Sequence, residues 1–189
     1  MIRASQVDKK HIVKILTIAF HIDPHVNWLL SKCKKRNKLE FVMNYVVDEM
    51  MERGEIYLSD CGNGVAIWKS HVKEKLSMKY LFRNIKAFLY FDMYTVFRLM
   101  KSEYSITKKY PSSKNYLHLY QIAVLPEARG RGVASTLIRE WITLAGNACD
   151  IYLETANSKN VLIYNTLGFY VYDEIAQEKI TLWLMKYQR

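Results

Sequence analysis

The chain is short of the residues that staple or break a fold. It has three cysteines, Cys33, Cys61 and Cys149, an odd and widely spaced set without a Cys-x-x-Cys pair. That argues against a disulfide framework or a zinc site and suits reduced thiols in a cytoplasm. No glycine occurs between Gly64 and Gly130, and no proline between Pro24 and Pro111. Internal repeats, low-complexity tracts and linkers are likewise missing. No uninterrupted apolar run approaches the length of a membrane span, and the first ten residues lack the apolar stretch of a signal peptide. What remains is a chain of 189 residues, half of them hydrophobic. It is long enough to bury a full core, and the expectation is one cytoplasmic globular domain over residues 1–189.

The charge is lopsided, with 28 Lys and Arg against 18 Asp and Glu, a net +10. Nucleic-acid binding is one reading of such an excess, and attraction of a small polyanion is another. The densest run, Lys32-Cys-Lys-Lys-Arg-Asn-Lys38, carries no aromatic for base stacking. No helix-turn-helix, zinc-finger or RNA-recognition signature accompanies it. The run reads as a solvated loop or helix start, and neither nucleic acid nor membrane is expected as a partner.

Periodicity gives the order of elements. Residues 1–7 suit a short strand, and Asp8 an N-cap for a helix to about Phe20 with Ile12, Ile15, Leu16 and Ala19 on one face. A turn is expected at 21–24. A helix spans 38–53, with Phe41, Tyr45, Val46 and Met50 inward and Gly54 ending it. Strands 55–59 and 65–70 flank a hairpin turn at 60–64. Residues 74–110 keep a helical period and read as two inserted helices. Beyond Pro111 follow strand 116–124, helix 131–146, strand 150–155, a short helix 158–167, and strands 169–175 and 179–186.

The most informative stretch is Arg129-Gly-Arg-Gly-Val-Ala134, between a strand and a helix. The first amides of a helix lack intrahelical acceptors, and the helix dipole favours negative charge there. Gly130 and Gly132 let the backbone approach a ligand, and Arg129 and Arg131 add positive charge. A phosphate or pyrophosphate is the natural guest. The turn is neither a P-loop nor a dinucleotide fingerprint. An ordinary solvated connection is the bland alternative.

A second element raises the odds. The pattern Val124-x-Pro126-x-x-Arg129-Gly130-x-Gly132-Val133-Ala134 resembles motif A of the GNAT N-acetyltransferase superfamily, (Arg/Gln)-x-x-Gly-x-(Gly/Ala). Asn157-x-x-Asn160-x-x-x-Tyr164-x-x-x-Gly168-Phe169 resembles its second signature. The likeness is specific from about Tyr116 onward. Ala19-Phe20…Asp23-Pro24…Trp28 looks like the start of a puromycin N-acetyltransferase-like subgroup.

This resemblance implies an α/β fold with a GNAT-like mixed, mostly antiparallel sheet flanked by helices, and a helical insertion, about 74–110, between the third and fourth strands. It implies acetyl-CoA as co-substrate and transfer of acetyl to the primary amine of a small molecule within a ternary complex. The enzyme would be a monomer or homodimer. A protein N-terminus or lysine as acceptor, or a silent CoA-binding module, are the rivals. No metal is expected: His21-x-Asp23-x-His25 holds zinc-ligand types, but Pro24 makes it a turn without fixed geometry.

Site residues follow from the resemblance and from side-chain chemistry. The backbone of Arg129, Gly130, Arg131, Gly132, Val133 and Ala134, with the Ser135 hydroxyl, would hold the pyrophosphate. Ile122, Ala123 and Val124 would offer the pantetheine arm backbone groups, and the amide near Val124 would polarise the thioester. Asn157 would cap the short helix, and Asn160 would face the cofactor one turn before Tyr164. Tyr164 suits protonation of the departing thiolate, with helix packing as its plainer role. Candidate bases are His118, Glu154 or a water. Strand alternation places His118 and Val124 on one face, six residues apart. Glu154 would position an acceptor or a water, or cap local amides. Tyr90, Phe91 and Tyr94 are candidates for an aromatic acceptor wall.

Overall fold

The computed structural model describes residues 1–70, 78–111, 116–146 and 149–188, the side chains of 78–81 excepted. Expectations for residues 74–77 lie outside these. Strands β1 (Ile2–Arg3), β2 (Glu55–Leu58), β3 (Gly64–Ser70), β4 (Tyr116–Val124), β5 (Asp150–Thr155), β6 (Phe169–Gln177) and β7 (Ile180–Tyr187) form a sheet of order β1-β2-β3-β4-β5-β7-β6. Every pairing is antiparallel except β4 with β5. The helices are α1 (Lys9–Phe20), α2 (Pro24–Leu29), α3 (Lys38–Arg53), α4 (Met78–Tyr90), α5 (Met93–Thr107), α6 (Val133–Ala145) and α7 (Ser158–Thr166). The expected mixed α/β architecture and the position of the helical insertion both hold.

Both faces of the central strands are covered, so β3 reads as a continuous apolar run. Val65 and Ile67 pack with Ile12, Ile15 and Leu16 of α1 and Met43, Val47 and Met50 of α3. Ala66 and Trp68 face the other way, onto Leu137, Ile138 and Trp141 of α6. Each aliphatic side chain fully buried in this way contributes about 1.5–3 kcal/mol. Gly54 ends α3 in an extended conformation, φ −123°, not a left-handed one. A Cβ there would meet the Trp68 carbonyl at 2.7 Å, so close packing selects the glycine.

Two local expectations give way. Asp8 does not cap α1: its carboxylate accepts from the Ser5 amide at 2.8 Å, closing a capping box on the 3-10 turn Gln6–Asp8. Residues 24–29 form a helix where only a turn was expected, because Pro24 sits at its first position and Asp23 Oδ1 accepts from the Val26 amide at 2.9 Å.

β4 carries the feature that shapes the site. Its register against β3 jumps, Ile67 pairing with Gln121 and Trp68 with Leu119, which leaves Tyr120 as an extra residue. Such a bulge inverts the alternation beyond it. Leu117, Leu119 and Ile122 therefore pack on the α6 side, whereas Tyr120, Ala123 and Leu125 pack on the α1–α3 side. His118 lies edge-on to Tyr120, their ring centroids 5.6 Å apart. His118 and Val124 thus face opposite sides of the sheet, correcting the simple alternation argument.

β4 and β5 pair only over Tyr116–His118 with Asp150–Tyr152. Beyond that, β5 continues against β7 and the two strands part. Leu125 donates to Asn63 on the β3 side at 2.9 Å. By antiparallel alternation, Ile122 and Val124 direct their backbone groups the other way, into the split.

Candidate active site

Two cavities meet where the sheet parts. The larger, about 550 Å³, runs from the 128–135 turn along the end of β4 to α7. Among the described residues the amides of 130–135 find no backbone acceptor, and the first bond of α6 is Thr136 to Gly132, 2.9 Å. Gly130 and Gly132 hold φ +74° and +77°, the left-handed region in which a side chain is strained. A Cβ at either would meet nothing within 4 Å, so open space lies above the turn. Six unpaired amides at a helix N-terminus are suited to an anion.

Of the residues expected to hold a cofactor, Ile122, Ala123, Val124, Arg129, Gly130, Gly132, Val133, Ala134, Ser135, Asn157, Asn160 and Tyr164 all line this cavity. Arg131 does not; it is exposed and outside the lining. The Arg129 guanidinium turns back onto the strand, its Nε donating to the Val124 carbonyl at 3.2 Å. Asn157 caps α7, accepting from the Lys159 amide at 3.0 Å.

The smaller cavity, about 190 Å³, lies between α2, α3, α5 and the β4–β5 split. It shares Phe20, Asp23, Ile122, Asn160 and Tyr164 with the larger one. Tyr164 thus stands at the junction, its ring against Phe169 and its hydroxyl without a hydrogen bond among the described residues. Burial, with the charges of Asp23 and Glu154, raises its pKa well above the ordinary phenol value.

Glu154 borders the smaller cavity and is 13% exposed. His118 Nε2 lies 2.6 Å from Glu154 Oε2, and Tyr110 donates to the same oxygen at 2.6 Å. A carboxylate can only accept, which assigns the proton between the two to Nε2. Burial pushes the Glu154 carboxyl up, but the positive charge that His118 carries when protonated, its hydrogen bond and the bond from Tyr110 outweigh it and hold the group low. Glu154 is therefore not a cap for local amides. His118 and Glu154, proposed from sequence as separate candidates, are one pair, with Glu154 toward the cavity.

The insertion borders this cavity by other residues than expected. Leu99, Ser102, Glu103 and Ile106, the inner face of α5, supply the wall. Phe91 is buried against Leu30 and Cys33, Tyr90 stacks on Phe41 at 3.8 Å, and Tyr94 accepts from Arg98 at 2.6 Å. None of the three lines either cavity. The i, i+3, i+4, i+7 spacing of 99, 102, 103 and 106 is the signal that would have found the wall.

The 21–25 segment borders the site without gathering ligands. Asp23 lines both cavities while capping α2, and His25 Nε2 sits 2.9 Å from Ser102 Oγ. Among the described residues no cluster of three metal-ligating side chains occurs. The basic run ends in Lys38, whose ammonium donates to the Leu30 and Cys33 carbonyls, each at 2.8 Å.

Residues 100–171 match the family model of the acetyltransferase (GNAT) domain. No curated protein matches the chain by sequence. Among solved structures, the fold is shared with a histone acetyltransferase HPA2 and related acetyltransferase from Corynebacterium glutamicum, 22% identical, covering 98% of this chain and 93% of that one, TM-score 0.64. An N-acetyltransferase from Staphylococcus aureus is 17% identical over 98% of both chains, TM-score 0.62. Arylalkylamine N-acetyltransferase 2 from Aedes aegypti is 13% identical, covering 97% of this chain and 95% of that one, TM-score 0.62.

Proposed function

We propose that the chain is an N-acetyltransferase, residues 1–189 acting as one domain, that moves acetyl from acetyl-CoA to the primary amine of a small molecule within a ternary complex. The observation that carries this is the meeting of two cavities at Tyr164. One ends in six amides unpaired among the described residues, and the other is bordered by the half-buried Glu154 carboxylate.

The 130–135 amides fit the pyrophosphate of CoA, and the split strand end at Ile122 and Val124 fits its pantetheine arm. The thioester supplies the electrophilic carbon. An alkylamine arrives mostly protonated, with a pKa near 10.4 for a lysine-like amine. Glu154, ionised, receives the ammonium. The Glu154–His118 pair takes up the lost proton as carboxylate and imidazolium. The amine nitrogen then attacks: the C–N bond forms and the C–S bond breaks. The Tyr164 hydroxyl hydrogen-bonds to the departing sulfur as charge develops there, and the second proton released at the amine nitrogen completes the thiol through it. Because burial raises Tyr164, it stays protonated at every working pH, but full transfer to the sulfur is uphill. Its hydrogen bond to the sulfur is the larger contribution.

The smaller cavity favours a small acceptor over a protein. Among the described residues it is walled by α2, α3 and α5, which supports an acceptor of limited size. We read the bordering of both cavities by Phe20 and Asp23, at the α1–α2 junction, as support for a puromycin N-acetyltransferase-like subgroup. The experiment that tests the function is amine-dependent release of free thiol from acetyl-CoA with a panel of small amines and peptides. Release with peptides alone would move the acceptor to proteins.

A further inference from the structure

We infer that the smaller cavity takes an acceptor bearing two cationic amines on a short chain, with Glu103 holding the one that does not react. The inference rests on the acetyl-transfer reading for what happens to the first amine. It stands on its own for what the cavity binds.

The first ground is the charge of the wall. The chain carries a net +10, yet among the described residues no lysine or arginine lines this cavity, while Asp23, Glu103 and Glu154 do, with His25 beside them. Composition alone would not gather carboxylates and leave out cations. The second ground is an excess of acceptors. Glu154 is engaged by His118 and Tyr110, and Asp23 by the cap of α2. Glu103 makes no side-chain hydrogen bond or ion pair among the described residues. Gln121, which also lines the cavity, keeps its buried side-chain oxygen without a donor. The buried Gln121 oxygen calls for a donor and Glu103 is a charged acceptor at the same wall, and an ammonium carries three donors.

The third ground is order along the cavity. Glu103 lines the smaller cavity from α5 and is exposed. Surrounding protein raises its carboxyl, Glu154 and Glu49 add to the rise, and His118 and Lys69 oppose it. Tyr164 lines both cavities, whereas Glu154 and Glu103 line the smaller one alone. The junction at Tyr164, where the reacting amine belongs, is therefore set apart from Glu103, where a second cation would be held. Leu29, Leu99, Ile106 and Leu182 supply an apolar wall for the connecting chain. The volume, about 190 Å³, is several times the ~30 Å³ of one water in the liquid.

The test is binding of three probes of matched length by calorimetry at low ionic strength: 1,4-diaminobutane, 1-aminobutane and 4-aminobutanoate. The diamine should bind about fivefold tighter than the monoamine, the worth of one partly exposed ion pair. The amino acid should bind weakest, since its distal charge meets Glu103. Added salt should narrow the spread. In Glu103→Gln the diamine should lose its advantage. Equal affinities in the wild type, or a diamine preference that survives Glu103→Gln, would overturn the inference. The carboxylate probe decides in the wild-type protein should the variant fail to fold: 4-aminobutanoate binding as well as 1-aminobutane overturns it. Acetyl-CoA turnover is read apart from these. A diamine preference without turnover would count against acetyl transfer and leave the cavity assignment standing.

Discussion

Gly132→Glu separates ligand binding from folding at the turn. Gly132 holds φ +77°, and a residue with a Cβ there is strained by about 1–2 kcal/mol. No atom lies within 4 Å of the added Cβ, so steric cost adds nothing within the protein. The new carboxylate sits at the N-terminus of α6, where an anion contributes about 0.3–1 kcal/mol. The net loss is about 1 kcal/mol, a fall in Tm of about 2–4 °C for a chain of this size. Against a bound pyrophosphate the same carboxylate is a like charge. At about 4 Å and an effective dielectric of about 20, repulsion reaches about 4 kcal/mol, nearly a thousandfold in Kd. Gly132→Ala carries the strain without the charge, so the difference between the variants isolates the repulsion. Calorimetric titration with CoA and a thermal melt on both variants measure the two quantities. Wild-type CoA affinity in folded Gly132→Glu would refute the assignment of the turn.

Tyr164→Phe keeps the ring on Phe169 and removes only the hydroxyl. Its kcat should fall by about 10²–10⁴ while CoA affinity holds, and the fall should shrink with an acyl donor of more acidic thiol. An unchanged kcat with chemistry rate-limiting would return Tyr164 to packing. Burial holds His25 below the ordinary 6.5, against the pull of Asp23 and Glu154. The unfolded chain then takes up a proton that the folded one refuses, so stability should begin to fall as pH drops below 6.5 and level off once the folded pKa is passed. Denaturant melts across that range should show a shallower slope for His25→Gln. Arg98 is buried and donates to the Trp28 carbonyl at 2.6 Å, Ser31 Oγ at 2.7 Å and Tyr94 at 2.6 Å. Its pair with Glu178, which is 57% exposed, adds little. Arg98→Met should cost roughly 2–3 kcal/mol, or about 5–10 °C in Tm, chiefly from acceptors left unpaired.

Elements with strong periods were legible in the sequence. Helix 38–53 and strands 116–124 and 150–155 stand at the expected bounds because alternation and 3.6-residue spacing leave little freedom. The turn 129–134 was legible because its chemistry is local: two glycines and a helix start lie within six residues. The bulge at Tyr120 was not, since nothing in Tyr-Gln-Ile marks an extra residue and it is seen only against Trp68 and Ile67 of β3. The pairing of His118 with Glu154 hangs on the short parallel contact of β4 and β5, 36 residues apart in sequence. Tyr110, which completes that group, precedes Pro111 at the end of the insertion and carries no motif. The aromatic residues at 90–94 misled because their spacing at a helix junction says that they pack, not against what.

The central claim is that an amine consumes the thioester at the junction of the two cavities. The direct measurement is acetyl-CoA with a panel of small amines, following free thiol and the acetylated product together by absorbance and mass spectrometry. The predicted result is thiol release that depends on the amine, one acetylated amine per thiol, abolished in Gly132→Glu and reduced about 10²–10⁴-fold in Tyr164→Phe. Tight CoA binding with no amine-dependent release from any acceptor, small molecule or peptide, would contradict it and leave a CoA-binding module without turnover.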